Sequence, residues 1–183
     1  MRTIVLILAG GESTRMGEDK AAMLRPDGRT QLEFTRDLAE TLSPDEIIVS
    51  TNTQRQLERT TEISDRHPGS GPLAGIESSL PHLKMGDRLL VLPCDMPILT
   101  SALLEPLLNL CPAAYEHRWL PCSVIVTDEL KEYILNALTG TGNQRSVRAL
   151  LTHCGAHLLP ADNLHQLSSA NSPEEWLALI GTK

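Results

Sequence analysis

The chain has 183 residues, with 16 lysines and arginines against 23 aspartates and glutamates, and only two tryptophans, two tyrosines and one phenylalanine. An acidic chain with so few rings offers neither a general polyanion-binding surface nor a stacking platform for single-stranded bases, so nucleic-acid binding is excluded and any phosphate site must be local. The length fits one domain spanning 1–183, and the longest apolar run, Ile4 to Ala9, is too short for a membrane span and lacks the flanks of a signal peptide, so a cytoplasmic location is expected.

The first element is the strand-like run Ile4-Val5-Leu6-Ile7, which empties into Leu8-Ala9-Gly10-Gly11 and continues through Arg15-Met16-Gly17 to Asp19-Lys20. A glycine pair after a strand lets backbone N–H groups approach a ligand with no Cβ in the way. Arg15 and Lys20 add fixed positive charge to the same loop, which is what a polyphosphate needs. The spacing excludes two familiar phosphate loops. From Gly11 the next glycine, Gly17, comes one residue too late for a Walker loop and is followed by Glu18, and the same glycines give no dinucleotide fingerprint.

Thr30-Gln31-Leu32-Glu33 then reads as a capping box, opening a helix that turns Leu32, Leu38, Ala39 and Leu42 toward a core, with Pro44 just past its end. Ile47-Ile48-Val49 is a second short buried strand that delivers Ser50-Thr51-Asn52 to its exit. The glycine- and proline-dense stretch from His67 to Gly75 demands a shaped loop ahead of a helix near Ile76 to Leu83. Leu89-Leu90-Val91-Leu92 is a third buried strand, delivering Pro93-Cys94-Asp95-Met96-Pro97. Ser123 to Val126 looks like another strand, and Asp128 is a candidate cap for a helix carrying Leu130, Ile134, Leu135 and Leu138. The chain breaks at Gly140-Thr141-Gly142-Asn143, and Ser146 can cap the next helix. Ser172-Pro173-Glu174-Glu175 is a strong start signal for the last one.

Apolar runs alternating with helical patterns predict an α/β fold with a mainly parallel sheet. In such sheets ligands sit beyond the carboxyl ends of the strands, so the three strand exits should face one cleft. Asp95, held between Pro93 and Pro97 at one exit, is a rigidly presented carboxylate opposite the basic glycine loop, an arrangement suited to Mg2+ and a nucleotide. Asn52 and Asp65 are secondary candidates for the cleft. Cys94, Cys111, Cys122 and Cys154 have no metal or redox spacing and read as buried thiols, and Gly155 separates His153 from His157, so that pair is read as structural.

Leu8-Ala9-Gly10-Gly11 with Arg15-Met16-Gly17 and Asp19-Lys20, then Gly71-Pro72-Leu73-Ala74-Gly75, Cys94-Asp95-Met96-Pro97 and Asn171-Ser172-Pro173-Glu174, resemble the molybdenum-cofactor guanylyltransferase family in order and nearly end to end. The resemblance implies a three-layer Rossmann-like nucleotidyltransferase fold. It also implies transfer of GMP from Mg-GTP to the terminal phosphate of molybdopterin, with release of pyrophosphate. On that resemblance Leu8, Ala9 and Gly10 lie against the nucleotide, and Gly11, Arg15 and Lys20 serve its phosphates. Asp95 binds magnesium, Asn52 and Asp65 contact the nucleotide with Ser50 as the alternative to Asn52, and Asn171 is an acceptor-side contact. Cofactor-delivery proteins and molybdoenzymes are the partners it suggests.

Two positions depart from the family pattern: Gly28-Arg29-Thr30-Gln31 stands where Gly-Lys-Pro-Leu is usual, and Ser169 stands where the first asparagine of Asn-x-Asn-Thr-Pro-Glu is usual. The competing functions are a cytidylyltransferase acting on the same pterin, a sugar-phosphate nucleotidyltransferase, and a non-catalytic nucleotide- or cofactor-binding partner. The glycine pair Gly10-Gly11 favours GTP, because the cytidylyl relatives tend to carry alanine before the second glycine.

Overall fold

A computed structural model of the chain describes residues 1–10, 19–53, 57–67, 69–140, 145–161 and 164–181. Its strands are β1 (Thr3–Leu8), β2 (Glu46–Ser50), β3 (Thr61–Ile63), β4 (Arg88–Pro93), β5 (Ala113–Tyr115), β6 (Arg118–Ile125) and β7 (His157–Leu159), in the spatial order β3-β2-β1-β4-β6-β5-β7. β1 lies parallel to β2 and β4, β2 to β3, and β5 to β7; β6 runs antiparallel to β4 and β5. The helices are α1 (Gln31–Glu40), α2 (Pro72–Ser79), α3 (Ser101–Asn109), α4 (Asp128–Thr139), α5 (Val147–His153) and α6 (Pro173–Ile180).

The alternation of side chains along β1 explains the three layers. Ile4 and Leu6 join the core under α2, α4 and α5, whereas Val5 and Ile7 join the core under α1 and α3. A strand covered on both faces has no polar position to spare, which is why its sequence is a continuous apolar run. Each of these wholly buried aliphatic side chains contributes roughly 1.5–3 kcal/mol by leaving water. The fold is thus the expected α/β architecture with a mainly parallel sheet.

Local signals were accurate where a side chain caps a helix. Thr30 and Glu33 form the complete capping box of α1, Ser146 caps α5 by accepting from the Ala149 N–H, and Ser172 caps α6 by accepting from the Glu175 N–H. At α4 the cap is Thr127, one residue earlier than expected, because its hydroxyl reaches the Leu130 N–H while Asp128 already lies in the first turn. Leu135 on that helix faces solvent and is about half exposed. Helix α2 begins at Pro72, four residues before the expected start, since Gly71 takes the left-handed φ of 74° that lets the chain enter a helix there. Gly155, at φ 61°, ends α5 and leaves His157 on β7, so His153 and His157 share no helix face. All four cysteines are thiols; Cys94 and Cys122 are buried, Cys111 and Cys154 only partly so.

The chain passes from β1 outward to β2 and β3 on one side and returns to β4 on the other. The order of the strands therefore reverses between β1 and β4. Backbone groups tie the exits together: the Ala9 N–H donates to the Ser50 carbonyl at 2.8 Å and the Cys94 N–H donates to the Leu8 carbonyl at 3.1 Å.

Candidate active site

A cavity of about 360 Å³ opens at this reversal, lined by Leu8, Ala9 and Gly10 from the exit of β1 and by Pro93 to Met96 from the exit of β4. Such a crevice is where ligands bind in open α/β sheets. Lys20 and Ala21 border it from a short 3-10 turn at Lys20–Ala22, which the Asp19 carboxylate caps by accepting from the Ala21 N–H at 3.0 Å. Asp65, Gly71, Pro72 and Gly75 line another wall, and Leu120 and Ser169 complete the described lining.

On one wall a lysine and a carboxylate meet. Lys20 Nζ lies 3.7 Å from Asp95 Oδ2 and donates a hydrogen bond to Asn171 Oδ1 at 2.9 Å. Asn171 in turn opens the approach to α6, its N–H donating to Glu175 Oε2 at 2.6 Å. The Asp95 carbonyl accepts from the Ala170 N–H at 2.8 Å, which docks this late segment against the turn after β4. Burial pushes the Asp95 carboxyl above the usual carboxylate range, and the nearby Lys20 ammonium, then backbone and the Ser169 hydroxyl, pull it the other way. Asp95 Oδ1 is buried and has no hydrogen-bond partner among the described residues. A buried oxygen without a donor is costly to leave empty-handed and is suited to a cation. No group of three or more histidine, cysteine or acidic residues capable of holding a metal occurs among the described residues. The Asp95 carboxylate fits magnesium, which is commonly held by one or two carboxylates together with substrate phosphates and water.

The opposite wall is polar and tightly spaced. The Ser50 hydroxyl donates to Asp65 Oδ1 in a very short contact, and Ser50 is fully buried at the exit of β2. A Cβ built on Gly10 would stand 3.2 Å from Asp65 Oδ2, 3.6 Å from the Ser50 carbonyl and 3.7 Å from Asn52 Nδ2. A side chain at Gly10 would therefore press on the Asp65 carboxylate, and the structure brings Gly10, Ser50, Asn52 and Asp65 into one corner.

Helix α2 points its N-terminus into the cleft, and its first-turn N–H groups carry the positive end of the helix dipole. It gets close because Gly75 has no side chain: a Cβ there would fall 2.6 Å from Leu8 Cδ2 and 3.1 Å from Ser50 Oγ. The glycines of the His67 to Gly75 stretch thus serve two separate needs, backbone conformation at Gly71 and packing at Gly75.

Of the residues singled out in the sequence, Leu8, Ala9, Gly10, Lys20, Asp65 and Asp95 line the cavity, Asn52 sits beside Gly10, and Asn171 reaches it through Lys20. Gly11 and Arg15 lie outside the described residues. Arg29 does not approach the site, being engaged by Asp27 at 2.7 Å and Asp37 at 2.8 Å. Ser169 and Leu120 were missed as lining residues. Ser169 was legible as a member of the Asn171 motif, two residues upstream, whereas nothing in the run Trp119-Leu120-Pro121 marks Leu120 as facing a ligand.

A family model for the MobA-like NTP transferase domain matches residues 5–158. A molybdenum cofactor guanylyltransferase from Xanthomonas euvesicatoria pv. vesicatoria is 34% identical over 181 residues, covering 96% of this chain and 93% of the relative. Another of the same name from a Shewanella species is 30% identical over 184 residues, covering 93% and 91%. Among solved structures, molybdopterin-guanine dinucleotide biosynthesis protein A from Archaeoglobus fulgidus superposes with a TM-score of 0.71 at 20% identity over 97% of both chains. A 2-C-methyl-D-erythritol 4-phosphate cytidylyltransferase from Thermus thermophilus superposes with a TM-score of 0.68 at 17% identity, covering 99% of this chain and 98% of that one. Both structural likenesses concern the fold.

Proposed function

Because the chain belongs to the MobA-like NTP transferase family, we propose that it transfers GMP from GTP to the terminal phosphate of molybdopterin and releases pyrophosphate. The observation that carries this reading is the meeting of Lys20 and Asp95 across the β1 and β4 exits, 3.7 Å apart at the mouth of α2. The names of the curated relatives favour the guanylyl over the cytidylyl reaction.

Both reactants are anions, so the principal task of the site is to bring phosphate groups together in line and offset their charge. Lys20, held by Asn171, supplies a fixed ammonium toward the triphosphate. The first-turn N–H groups of α2 add partial positive charge from the other side. Leu8, Ala9 and Gly10 form the floor on which the nucleoside lies, and Asp65 and Asn52 present polar atoms to it. Asp65 is braced through Oδ1 by the Ser50 hydroxyl, which sets the direction of Oδ2. Asp95 would hold Mg2+, which when bound supplies charge neutralisation at the phosphates. No residue needs to act as general base, because the attacking phosphate is already ionised.

No helix among the described residues is long and apolar enough to cross a membrane. The experiment that tests the reading incubates the purified protein and magnesium with molybdopterin and each nucleoside triphosphate in turn, following pyrophosphate. Pyrophosphate release with GTP, dependent on molybdopterin, is the expected result. No release with any of the four would overturn it.

A further inference from the structure

Lys20 and Asp95 belong to segments far apart in the chain, and a single side chain bridges the segments from beneath. Arg25, five residues after Lys20, donates from Nη1 to the Pro97 carbonyl at 2.8 Å and to Gln31 Oε1 at 2.8 Å. Its guanidinium carbon packs 3.7 Å from the centroid of the Phe34 ring. The side chain is only 12% exposed, yet the Asp27 carboxylate stands off at 3.9 Å and Arg25 Nε is buried without a hydrogen bond among the described residues. A cation in such surroundings is an expensive way to gain stability. One of its hydrogen bonds instead reaches the turn that follows Asp95, and its other close contacts anchor it on α1.

Gln31 extends the same support. It is wholly buried, its amide approaches Thr35 Oγ1 at 3.4 Å, and Thr35 Oγ1 in turn faces Cys94 Sγ at 4.0 Å. The turn carrying Asp95 is thus touched from below at Cys94 on one side and Pro97 on the other. Between Lys20 and Arg25 the chain is tied at Met23, whose N–H donates to the Lys20 carbonyl at 3.3 Å and whose carbonyl accepts from the Gln31 N–H at 2.9 Å; Arg25 itself is held by its N–H donating to the Arg29 carbonyl at 2.8 Å, beside the bridge between Leu24 and Thr30. The pairing with Arg25 also accounts for a glutamine where the family pattern usually has leucine.

We propose that Arg25 is a positioning residue: it joins the Lys20 loop to the Asp95 turn and so sets the separation of ammonium and carboxylate on which nucleotidyl transfer depends. The catalytic part of this statement rests on the reaction proposed above; the mechanical part does not.

The test compares the full chain with Arg25→Met and with the double variant Arg25→Met/Gln31→Leu. Arg25→Met is expected to lower kcat about 10- to 100-fold, the scale of a small misplacement of reacting groups, with a much smaller change in KM for GTP. Replacing both buried partners by apolar groups removes the unsatisfied amide, so the double variant should regain thermal stability while kcat stays low. Recovery of kcat together with stability would reduce Arg25 to a packing residue and overturn the proposal. The double variant also serves if Arg25→Met alone does not fold. Hydrogen exchange, measured without substrates, should quicken about 10-fold at residues 20–23 and 94–99 while the interior of β1 and β4 is unchanged. Unaltered exchange at those two segments overturns the tie. Absence of turnover by the unaltered protein overturns the reaction instead and leaves the exchange result to decide the tie.

Discussion

Lys20 Nζ stands 3.7 Å from Asp95 Oδ2 and makes its closer bond, at 2.9 Å, to Asn171 Oδ1. The ammonium is therefore held near the carboxylate but not consumed by it. A lysine fully paired with Asp95 would offer less charge to a phosphate and would compete with a metal for the carboxylate. Asn171, a neutral acceptor, fixes the lysine with little loss of its charge.

Asp95→Asn should lower kcat at least about 100-fold, the scale expected when a group that offsets transition-state charge is removed. In the metal-free protein the same substitution should raise Tm. Burial holds the Asp95 pKa above its unfolded value, so stability is highest below the unfolded pKa and is lost as pH rises through the window up to the folded pKa. At neutral pH the neutral amide escapes that loss. Magnesium-dependent turnover assays and thermal melts without metal check the two outcomes, and near-normal turnover at saturating magnesium would remove Asp95 from the site.

Gly75→Ala should leave stability within about 1 kcal/mol, since the gain in helix propensity offsets part of the crowding. The added methyl must displace the end of Leu8, 2.6 Å away, and press on Ser50 Oγ at 3.1 Å. Leu8 borders the cavity, so its displacement should raise KM for GTP about 10-fold, the cost of roughly one well-made contact. Paired steady-state kinetics and melts would detect this; an unchanged KM would show that Leu8 has room to move elsewhere.

Gly10→Ala should lower kcat/KM for GTP about 10-fold or more, because a Cβ 3.2 Å from Asp65 Oδ2 disturbs the polar corner proposed to face the nucleoside. Gly10 has no left-handed φ, so the substitution tests close approach and not backbone strain. Single-turnover transfer with GTP and CTP at equal magnesium gives the companion measurement. Equal rates with the two nucleotides in the unaltered protein would overturn the guanylyl preference while leaving nucleotidyl transfer intact.

Cys111, Cys122 and Cys154 should be poor nucleophiles at neutral pH. Burial pushes Cys154 up to about 11 and raises Cys111 and Cys122 as well. Because the thiolate is the reactive form, alkylation of the partly exposed Cys154 should be slow at pH 8 and still accelerating above pH 10. Mass-spectrometric alkylation rates across this range are the check, and a plateau near pH 9 would contradict the burial.

Much of the site was legible because its residues sit at the ends of apolar runs. Leu8 to Gly10 and Cys94 to Pro97 follow the strands that the sequence marks most clearly, and the reversal of strand order between β1 and β4 brings those ends together. β3, β5 and β7 were not anticipated: each has three residues, too few to display a period, and β3 is only partly buried. α3 was also passed over, its pattern interrupted by Pro106. The support given by Arg25 and Gln31 was hidden for another reason. A polar side chain signals its partner only after the fold has brought the two together, and Pro97 is 72 residues away from Arg25.

The grip of Asn171 on Lys20 spans 151 positions. During synthesis β1, its loop and β4 are all made well before the segment that steadies the lysine, so the emerging chain can assemble its sheet while the cleft is still unfinished. Competence to react would then arrive late and abruptly, when residues 169–171 fold back onto the turn after β4. Premature termination between β7 and residue 169 would accordingly leave every strand of the sheet in place while removing the segment that steadies Lys20.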